Sequence, residues 1–243
     1  MRIDFFGHAA CALTSNSGAR LLIDPYDPGG FGGKISYPEI HGEFEAVVCT
    51  HDHLDHNAVH AVRPVPPPRV EEGTVGPFSI ERIRLDHDEY GGKRRGGQTD
   101  ALMIQVDGLC ILHLGDVGQA PDGQWPIANC DVLLVPVGGF FTIGAFQARE
   151  WIRRSGARLA IPIHYSTPSC DLKIRGLETF LALEREYKWS SESYILETED
   201  TRSSRVVVIE PPRGKKTAGG PLNQVEKVDT MRTEANPRDH QEP

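Results

Sequence analysis

Short apolar runs separated by turn residues dominate the chain, and they predict a structure built mainly from β-strands. Strands are predicted over residues 3–6, 11–14, 20–23, 46–50, 74–85, 101–106, 109–114, 132–137, 159–163, 194–196 and 205–209. The Ser-Asn-Ser-Gly stretch at 15–18 and the Asp107-Gly108 pair supply hairpin turns between neighbouring strands. This pattern by itself indicates a mixed α and β structure and no particular architecture.

Helical spacing of apolar residues predicts amphipathic helices over residues 145–154 and 177–188. A shorter helical turn is predicted over 57–62, where the prolines at 64–68 would end it. Residues 211–243 are rich in Pro, Gly, Lys and Glu and contain few large apolar side chains, so they cannot offset the entropy of ordering. We therefore expect a folded domain over residues 1–210 and a disordered tail whose removal leaves stability and catalysis unchanged.

Composition narrows the class of protein. The chain has 243 residues and a net charge of −8, which allows a substantial core and argues against a general nucleic-acid binder. No apolar stretch approaches the ~20 residues that span a bilayer, and the N-terminus enters a strand without a signal-peptide pattern. Five scattered cysteines without a Cys-x-x-Cys pair are typical of a reducing compartment. A cytoplasmic protein without membrane contact is expected, and its oligomeric state stays open.

The most informative motif is His-x-His-x-Asp-His, which directly follows the apolar run 44–50. It places His51, His53, Asp55 and His56 within six positions, and imidazole and carboxylate are the ligands of zinc-type and iron-type ions. His51 and His53 could share one metal while Asp55 and His56 face a second one. A His-rich solvated turn is the alternative, but this spacing behind a buried strand rarely arises by chance, so we favour metal binding.

Further ligands must come from elsewhere in the chain, and three downstream residues have suitable positions. His87, Asp116 and His164 each lie just past a predicted strand, as His51 does. Metal ligands usually lie at strand ends or in loops, because a rigid scaffold must hold them. One histidine after a strand is more often structural, so it is the repeated placement that favours a shared metal site.

With these residues in view, the chain resembles the metallo-β-lactamase superfamily of metal-dependent hydrolases. The branch it resembles contains ascorbate-6-phosphate lactonase-like and uncharacterised Zn-dependent hydrolases. The resemblance covers about residues 1–210 and rests on Gly7-His8-Ala9, Leu22-Ile23-Asp24-Pro25, the motif at 50–56, His87-Asp88-Glu89, Gly115-Asp116, residues 136–139 and Pro162-Ile163-His164-Tyr165. It implies an α+β fold, the αββα four-layer sandwich of the metallo-β-lactamase type, with metal sites where the strand ends of two sheets meet.

The resemblance also implies a ligand set for two divalent metals, with zinc expected and manganese or iron as alternatives. One metal would take His51, His53 and His87, the other would take Asp55, His56 and His164, and Asp116 would bridge them. It further implies that Asp24 hydrogen-bonds a ligand histidine, although an Asp that ends a strand before proline would serve the turn equally well. His8 either approaches the site from the first loop or is an ordinary buried histidine.

A paired metal site predicts hydrolysis by a hydroxide held between the two cations. Asp116 would hold the metals apart, and Asp55 would orient the nucleophile or accept its proton. The bond could be a lactone, ester or phosphodiester, among others, because one fold supports many reactions. Two alternatives stay open: an iron-loaded redox or sulfur-transfer enzyme on the same scaffold, and a non-catalytic metal-binding module.

Three consecutive cations follow the ligand His87. Lys93, Arg94 and Arg95 lie between glycine pairs in a chain that is acidic elsewhere, and they could bind a phosphate or carboxylate of the substrate. The alternative is a solvated surface loop. Phe140 and Phe141 are candidates to wall a substrate pocket.

Overall fold

The computed structural model describes residues 1–94, 96–121, 130–196 and 205–214. The strands in chain order are β1 Arg2–Gly7, β2 Ala10–Thr14, β3 Arg20–Ile23, β4 Ala46–Val48, β5 Gly73–Val75, β6 Phe78–Asp86, β7 Gln98–Val106, β8 Leu109–His113, β9 Val132–Pro136, β10 Leu159–Ile163, β11 Tyr187–Ser190, β12 Ser193–Ile195 and β13 Arg205–Ile209. The helices are α1 Gly30–Gly33, α2 Ala145–Ser155 and α3 Glu178–Leu181, with a 3-10 turn at Val59–Ala61.

These strands form two sheets. The first has five strands in the order β12-β1-β2-β3-β4, and the second has eight in the order β11-β13-β10-β9-β8-β7-β6-β5. In the first sheet β1, β2 and β3 are antiparallel neighbours, whereas β3 and β4 are parallel. In the second sheet β6, β7 and β8 form an antiparallel meander, and β8, β9 and β10 are parallel.

The main core lies between the sheets. Alternate residues of the five-stranded sheet, such as Phe5 and Leu21, join the same buried cluster as the central strands of the second sheet. Successive side chains of a strand point to opposite faces, and on the outer face Leu22 packs with Tyr26 and Ile35 of the connection between β3 and β4. Every residue of β9 and β10 is buried, as is typical of parallel strands covered on both faces.

Helix α2 covers the second sheet, and its sequence explains both of its ends. The Gly144 N–H donates to the Gln147 side chain at 3.1 Å, which satisfies one group at the N-terminus. Gly156 adopts φ 64° just beyond Ser155, a left-handed conformation that commonly ends helices. Ala148 and Trp151 face inward and are buried, so the predicted amphipathic helix is confirmed.

Two sequence predictions are wrong. The strand predicted over 74–85 is divided into β5 and β6 by a turn in which Gly76 adopts φ 52°. The helix predicted over 177–188 is limited to the four residues of α3, and the following segment forms β11. β11 pairs in parallel with β13, with Trp189 opposite Val208, so pairing with a distant strand overrides local helical spacing.

The packed part of the chain continues past the predicted boundary at residue 210. Residues 211–214 follow β13 directly, and Pro211 and Gly214 are buried. The Gly214 N–H donates to the Ser169 hydroxyl at 2.9 Å, which ties this end to the loop after β10. The prediction of disorder for residues 215–243 lies outside the described residues. Among the described helices, none is long and apolar enough to cross a membrane.

Candidate metal centre

The carboxyl ends of several strands bring the polar residues together. β6 and β8 are both antiparallel to β7, and β10 is parallel to β8 through β9, so β6, β8 and β10 all end at the same edge of their sheet. His87, Asp116 and His164 follow these three strands. In the other sheet Asp24 and His51 follow the parallel strands β3 and β4. The site lies where these strand ends meet, as the resemblance implied.

Potential ligand atoms form two groups at this edge, and within each group all atoms lie within 4.8 Å of one another. The first group consists of His51, His53, His87 and Asp116. The second group consists of His8, Asp55, His56 and His164. The structure therefore brings together all seven residues that the sequence predicted as ligands, and it adds His8.

Asp116 lies between the two groups. Its Oδ2 atom is 3.3 Å from Nε2 of His87 in the first group and 3.3 Å from Nε2 of His164 in the second. Its Oδ1 atom is 3.2 Å from Nε2 of His56. A carboxylate that lies within reach of both groups has the placement that a bridging ligand requires.

Several atoms facing this centre lack hydrogen-bond partners. Within the described part of the chain, Nε2 of His56, Nε2 of His87 and Oδ1 of Asp116 are buried without a hydrogen bond of acceptable geometry. Buried polar atoms are normally satisfied, because leaving one unpaired costs about 1–3 kcal/mol. A divalent cation satisfies imidazole nitrogens and carboxylate oxygens at the same time, so this donor set fits a metal.

Asp24 orients ligands of both groups from behind. Its Oδ2 accepts from Nδ1 of His56 at 2.9 Å and from the Thr50 hydroxyl at 2.7 Å, and its Oδ1 accepts from the Thr50 N–H at 2.7 Å. Since the Thr50 proton is directed to Asp24, the Thr50 oxygen can accept from Nδ1 of His51, 2.9 Å away. Both histidines are thus held with Nε2 directed at the centre, as such partners do for metal ligands.

His8 contacts the second group through Asp55. Its Nε2 lies 2.9 Å from Oδ2 of Asp55, and because a carboxylate only accepts hydrogen bonds, Nε2 carries the proton. The other ring nitrogen lies 3.9 Å from the buried Sγ of Cys170. This arrangement makes His8 a partner that orients Asp55. It also places the Cys170 thiol next to Nδ1 of His8.

The backbone is strained at three positions of the site. His8, Asp24 and His164 adopt φ values of 55°, 48° and 52°, in the left-handed region that residues other than glycine rarely occupy. The His164 N–H donates to the His8 carbonyl at 2.7 Å, so two of these residues fix each other. Such strain persists where the surrounding structure determines the conformation, and it clusters at functional sites.

Burial keeps two of the histidines neutral. It lowers the pKa of His51 to about 3, and the positive charge of His56 acts in the same direction. It also lowers the pKa of His8 to about 4, although Asp55 opposes that effect. A neutral imidazole has a free lone pair, which is the form that a metal requires.

Carboxylates of the site raise the pKa of His56, and the histidines in turn lower the pKa of Asp116. Burial alone would lower the pKa of His56, but Asp116, Asp55 and Asp24 raise it well above its usual value. Burial alone would raise the pKa of Asp116, but the charges of His164 and His56 hold it well below its usual value. Three ionised carboxylates therefore hold a proton on His56 where a cation could replace it, so metal binding is expected to release a proton.

The loop that carries the predicted substrate cations packs against the site. The Asp88 carboxylate accepts from the backbone N–H groups of Tyr90, Gly92 and Arg94 at 2.7–2.9 Å, which fixes the loop. The Arg94 guanidinium lies over the Tyr90 ring at 3.8 Å from its centroid. Lys93 and Arg94 are exposed and do not line the cleft described next. Arg95 lies outside the described residues, and substrate contact by this loop stays a prediction.

A cleft of about 550 Å³ adjoins the site. The predicted ligand His87 forms part of its wall. Phe140 and Phe141, the candidates from the sequence for a pocket wall, also line it. Lys173 and Arg175 also line this cleft. Sequence reasoning missed them, because no local pattern in the sequence marks this loop as part of the site.

The fold and the paired clusters define the class to which the protein belongs: hydrolases that place metal ligands at the strand ends of a two-sheet sandwich. A family model described as the β-lactamase superfamily domain matches residues 2–164, which include all seven predicted ligands. The chain therefore belongs to the β-lactamase superfamily.

Relatives support the same assignment. A UPF0173 metal-dependent hydrolase from Methanoculleus marisnigri is 31% identical over 196 residues, which cover 69% of this chain and 82% of the relative. A solved structure from Thermotoga maritima, assigned as a Zn-dependent hydrolase of the metallo-β-lactamase superfamily, shares 28% identity with a TM-score of 0.67. That alignment covers 86% of this chain and 97% of the other. The predicted family, fold and enzyme class, a metal-dependent hydrolase, are confirmed.

The fold alone does not determine the chemistry. CmlA, a diiron β-hydroxylase from Streptomyces venezuelae, matches with a TM-score of 0.54 and 11% identity over 85% of this chain and 52% of its own. That likeness concerns the fold only. Metal identity and reaction must therefore be argued from the site.

Proposed function

We propose that this chain is a two-metal hydrolase that cleaves a small substrate at the edge where the strand ends meet. The observation that carries the proposal is the pair of ligand groups with Asp116 between them and with buried atoms of both groups left without hydrogen bonds. In this proposal one cation takes His51, His53 and His87. The other takes Asp55, His56 and His164, and Asp116 binds both.

A pair of divalent cations, when bound, supplies a water of lowered pKa and polarises the bond under attack. The chain supplies the orientation. Asp24 holds His56 directly and His51 through Thr50, so the ligand nitrogens are set before metal arrives. Preorganised ligands cost less to order during binding, which favours a tight site.

Asp55 is best suited to orienting rather than to accepting a proton. His8 donates to its Oδ2 at 2.9 Å, which fixes the carboxylate plane. Burial would raise its pKa, but the charge of His56 and the hydrogen bond from His8 hold the pKa of Asp55 well below its usual value. A carboxylate with so low a pKa is a weak base near neutral pH. We therefore assign Asp55 to ligation and to positioning the attacking water.

The volume of the neighbouring cleft favours a small molecule as the substrate. A volume of about 550 Å³ falls within the range of small-molecule sites. We propose an ester, lactone or phosphodiester bond, since water attack assisted by two cations suits all three. Zinc is the expected metal, with manganese or iron as alternatives.

Metal stoichiometry and turnover on one sample test the proposal. Protein loaded with zinc or manganese should contain close to two ions per chain by elemental analysis, and it should hydrolyse members of an ester, lactone and phosphodiester panel. One ion after full loading, with full activity, would rule out the two-metal mechanism. A coloured, iron-containing protein without hydrolytic activity would favour a redox enzyme instead.

A further inference from the structure

The loop after β10 brings two cations to the cleft beside the metal centre. Its backbone is anchored at Arg175, whose N–H donates to the Gly138 carbonyl at 2.8 Å and whose carbonyl accepts from the Ser166 N–H at 2.9 Å. The Gly138 N–H in turn donates to the carbonyl of ligand His164 at 3.1 Å. Arg175 is therefore connected to a ligand residue through two backbone hydrogen bonds.

The packing under this loop is close. A Cβ atom at Gly138 would clash with the carbonyl oxygen of His164 and lie 3.2 Å from Cβ of Ile174, so glycine is needed where the loop meets the strand end. Lys173 and Arg175, on either side of Ile174, are exposed and line the cleft. Because both residues line the same cleft, the two cations lie at one surface.

These two cations differ in their ion pairing from the arginines that line a neighbouring cleft. Among the described residues, no ion pair involves Lys173 or Arg175. In the neighbouring cleft of about 450 Å³, by contrast, each lining cation faces a carboxylate. Arg82 and Arg84 contact Asp100 at 2.8 Å, and Arg69 contacts a carboxylate at 3.0 Å. Of these two clefts, the first is the one whose lining cations form no ion pair among the described residues.

An apolar wall stands next to the two cations. Nζ of Lys173 lies 5.1 Å from the centroid of the Phe140 ring, and the Phe140 and Phe141 rings are 4.7 Å apart in an edge-to-face arrangement. Phe140 is 45% exposed and adopts φ 66°, a strained conformation for an aromatic residue. Strained backbone of this kind clusters at functional sites, and an exposed aromatic ring beside a cleft is suited to contact a ligand.

We propose that Lys173 and Arg175 form an anion-binding subsite beside the metal centre, with Phe140 and Phe141 as the adjoining apolar wall. The substrates then carry a phosphate or carboxylate group apart from the scissile bond, joined to an apolar or aromatic body. This inference rests on the proposed hydrolase function for the chemistry at the scissile bond, but the anion binding does not depend on turnover. This subsite is separate from the predicted contact by Lys93, Arg94 and Arg95, which stays a prediction.

Two acidic residues line the same cleft and do not cancel the subsite. The Asp88 carboxylate is already engaged by three backbone N–H groups. Glu89 is exposed and forms no ion pair with Lys173 or Arg175 among the described residues. An anion would therefore meet two cations, one solvated carboxylate and one carboxylate whose charge three backbone N–H groups partly offset, in a chain whose overall charge is −8. The subsite opposes the general repulsion that such a chain exerts on anions.

Binding of small probes to the full-length, zinc-loaded protein tests the proposal. The probes are phenyl phosphate, benzoate and neutral benzyl alcohol, with dissociation constants measured by calorimetry. The test variant is K173A/R175A, and the matched control is R185A/K188A, which removes the same charge from exposed positions outside the cleft lining. Zinc content is measured on every sample, so that loss of metal is not mistaken for loss of the subsite.

We expect K173A/R175A to raise the Kd of an anionic probe about tenfold at low salt, the product of two exposed charge contacts each worth about threefold. The Kd of benzyl alcohol should stay unchanged, and R185A/K188A should alter no Kd more than twofold. An effect on phenyl phosphate alone identifies a phosphate subsite, and an effect on benzoate alone identifies a carboxylate subsite. Unchanged anion binding in K173A/R175A, or equal loss in both variants, overturns the proposal. A protein that binds these anions without hydrolysing any substrate would overturn the hydrolase function alone.

Discussion

At the residue scale, a few side chains behind the ligands determine how the site is held. Asp24 is fully buried and accepts three hydrogen bonds, one from His56 and two from Thr50. Burial would raise its pKa, but the charge of His56 and their hydrogen bond keep the pKa of Asp24 below its usual value. An ionised carboxylate is therefore available to polarise His56 directly and His51 through Thr50.

The substitution Asp24→Asn should weaken both metals. An amide presents one oxygen and one NH₂ group, so at least one of the donors that now face Asp24 would meet another donor. We expect metal affinity to fall about 10–100-fold, the usual cost of removing such a partner. Competition with a chromophoric chelator measures it.

The substitution Thr50→Val distinguishes the direct contact of Asp24 with His56 from its indirect contact with His51. It keeps the shape of the side chain but removes the hydroxyl between Asp24 and His51, while the contact of Asp24 with His56 stays. The first metal should weaken and the second should not. Equal weakening of both metals in Thr50→Val would show that the Thr50 relay is not specific to His51.

Two ligand substitutions test the bridging position of Asp116. His53→Ala should lose one metal ion per chain, because His53 contacts only the first group, whereas Asp116→Ala should lose both. Asp52→Ala is the matched control, since Asp52 lies in the same turn but is exposed and contacts Arg69. Elemental analysis gives the counts, and circular dichroism checks that the sheets persist. Normal metal content in Asp116→Ala would refute its role as the bridge.

At the scale of elements, strand ends explain which parts of the site were predictable. His51, His87, Asp116 and His164 follow apolar runs in the sequence, so their positions could be predicted from local pattern and motif. Lys173 and Arg175 could not, because their place beside the metal centre depends on hydrogen bonds between the loop after β10 and Gly138. The β11 strand was missed for the same reason, since it exists through pairing with the distant β13.

Loop 88–97 is a second element whose close packing serves the site. A Cβ atom at Gly96 would lie 2.8 Å from Cε1 of His53 and 3.1 Å from Cδ2 of His87. Gly96→Ala should therefore displace two ligands of the first metal and lower its affinity. Metal titration of the variant measures the loss.

Gly97→Ala is the matched control for that change. Gly97 has a similar φ of +78°, but a Cβ atom there would meet nothing within 4 Å. The two variants should share a backbone cost of about 1–2 kcal/mol for a left-handed alanine. Only Gly96→Ala should lose metal, and equal metal content in the two would refute the close-packing argument.

At the scale of the whole molecule, the metal centre should link the two sheets. The proposed ligands follow β4 in one sheet and β6, β8 and β10 in the other. A bound cation would therefore connect the two sheets. A metal at a hundredfold excess over its Kd stabilises the folded state by about 2.7 kcal/mol. Removing it with a chelator should lower the Tm of the protein by roughly 5–10 °C. An unchanged Tm, with metal loss verified, would show that the clusters contribute nothing to holding the sheets together.

The C-terminal end gives the last prediction, which joins packing to binding. Gly214 donates to the hydroxyl of Ser169, and the Ser169 carbonyl accepts from the Ser36 N–H at 2.8 Å, so residues 211–214 support the loop that carries Lys173 and Arg175. A chain ending at residue 214 should keep the Tm and the anion affinity of the full protein. A chain ending at residue 210 loses one buried hydrogen bond, worth about 1 kcal/mol, and should melt roughly 2–4 °C lower. Its affinity for phenyl phosphate should also fall, because the loop is less firmly held, while its zinc content should not. If the two truncated chains melt and bind alike, residues 211–214 have no part in supporting the loop.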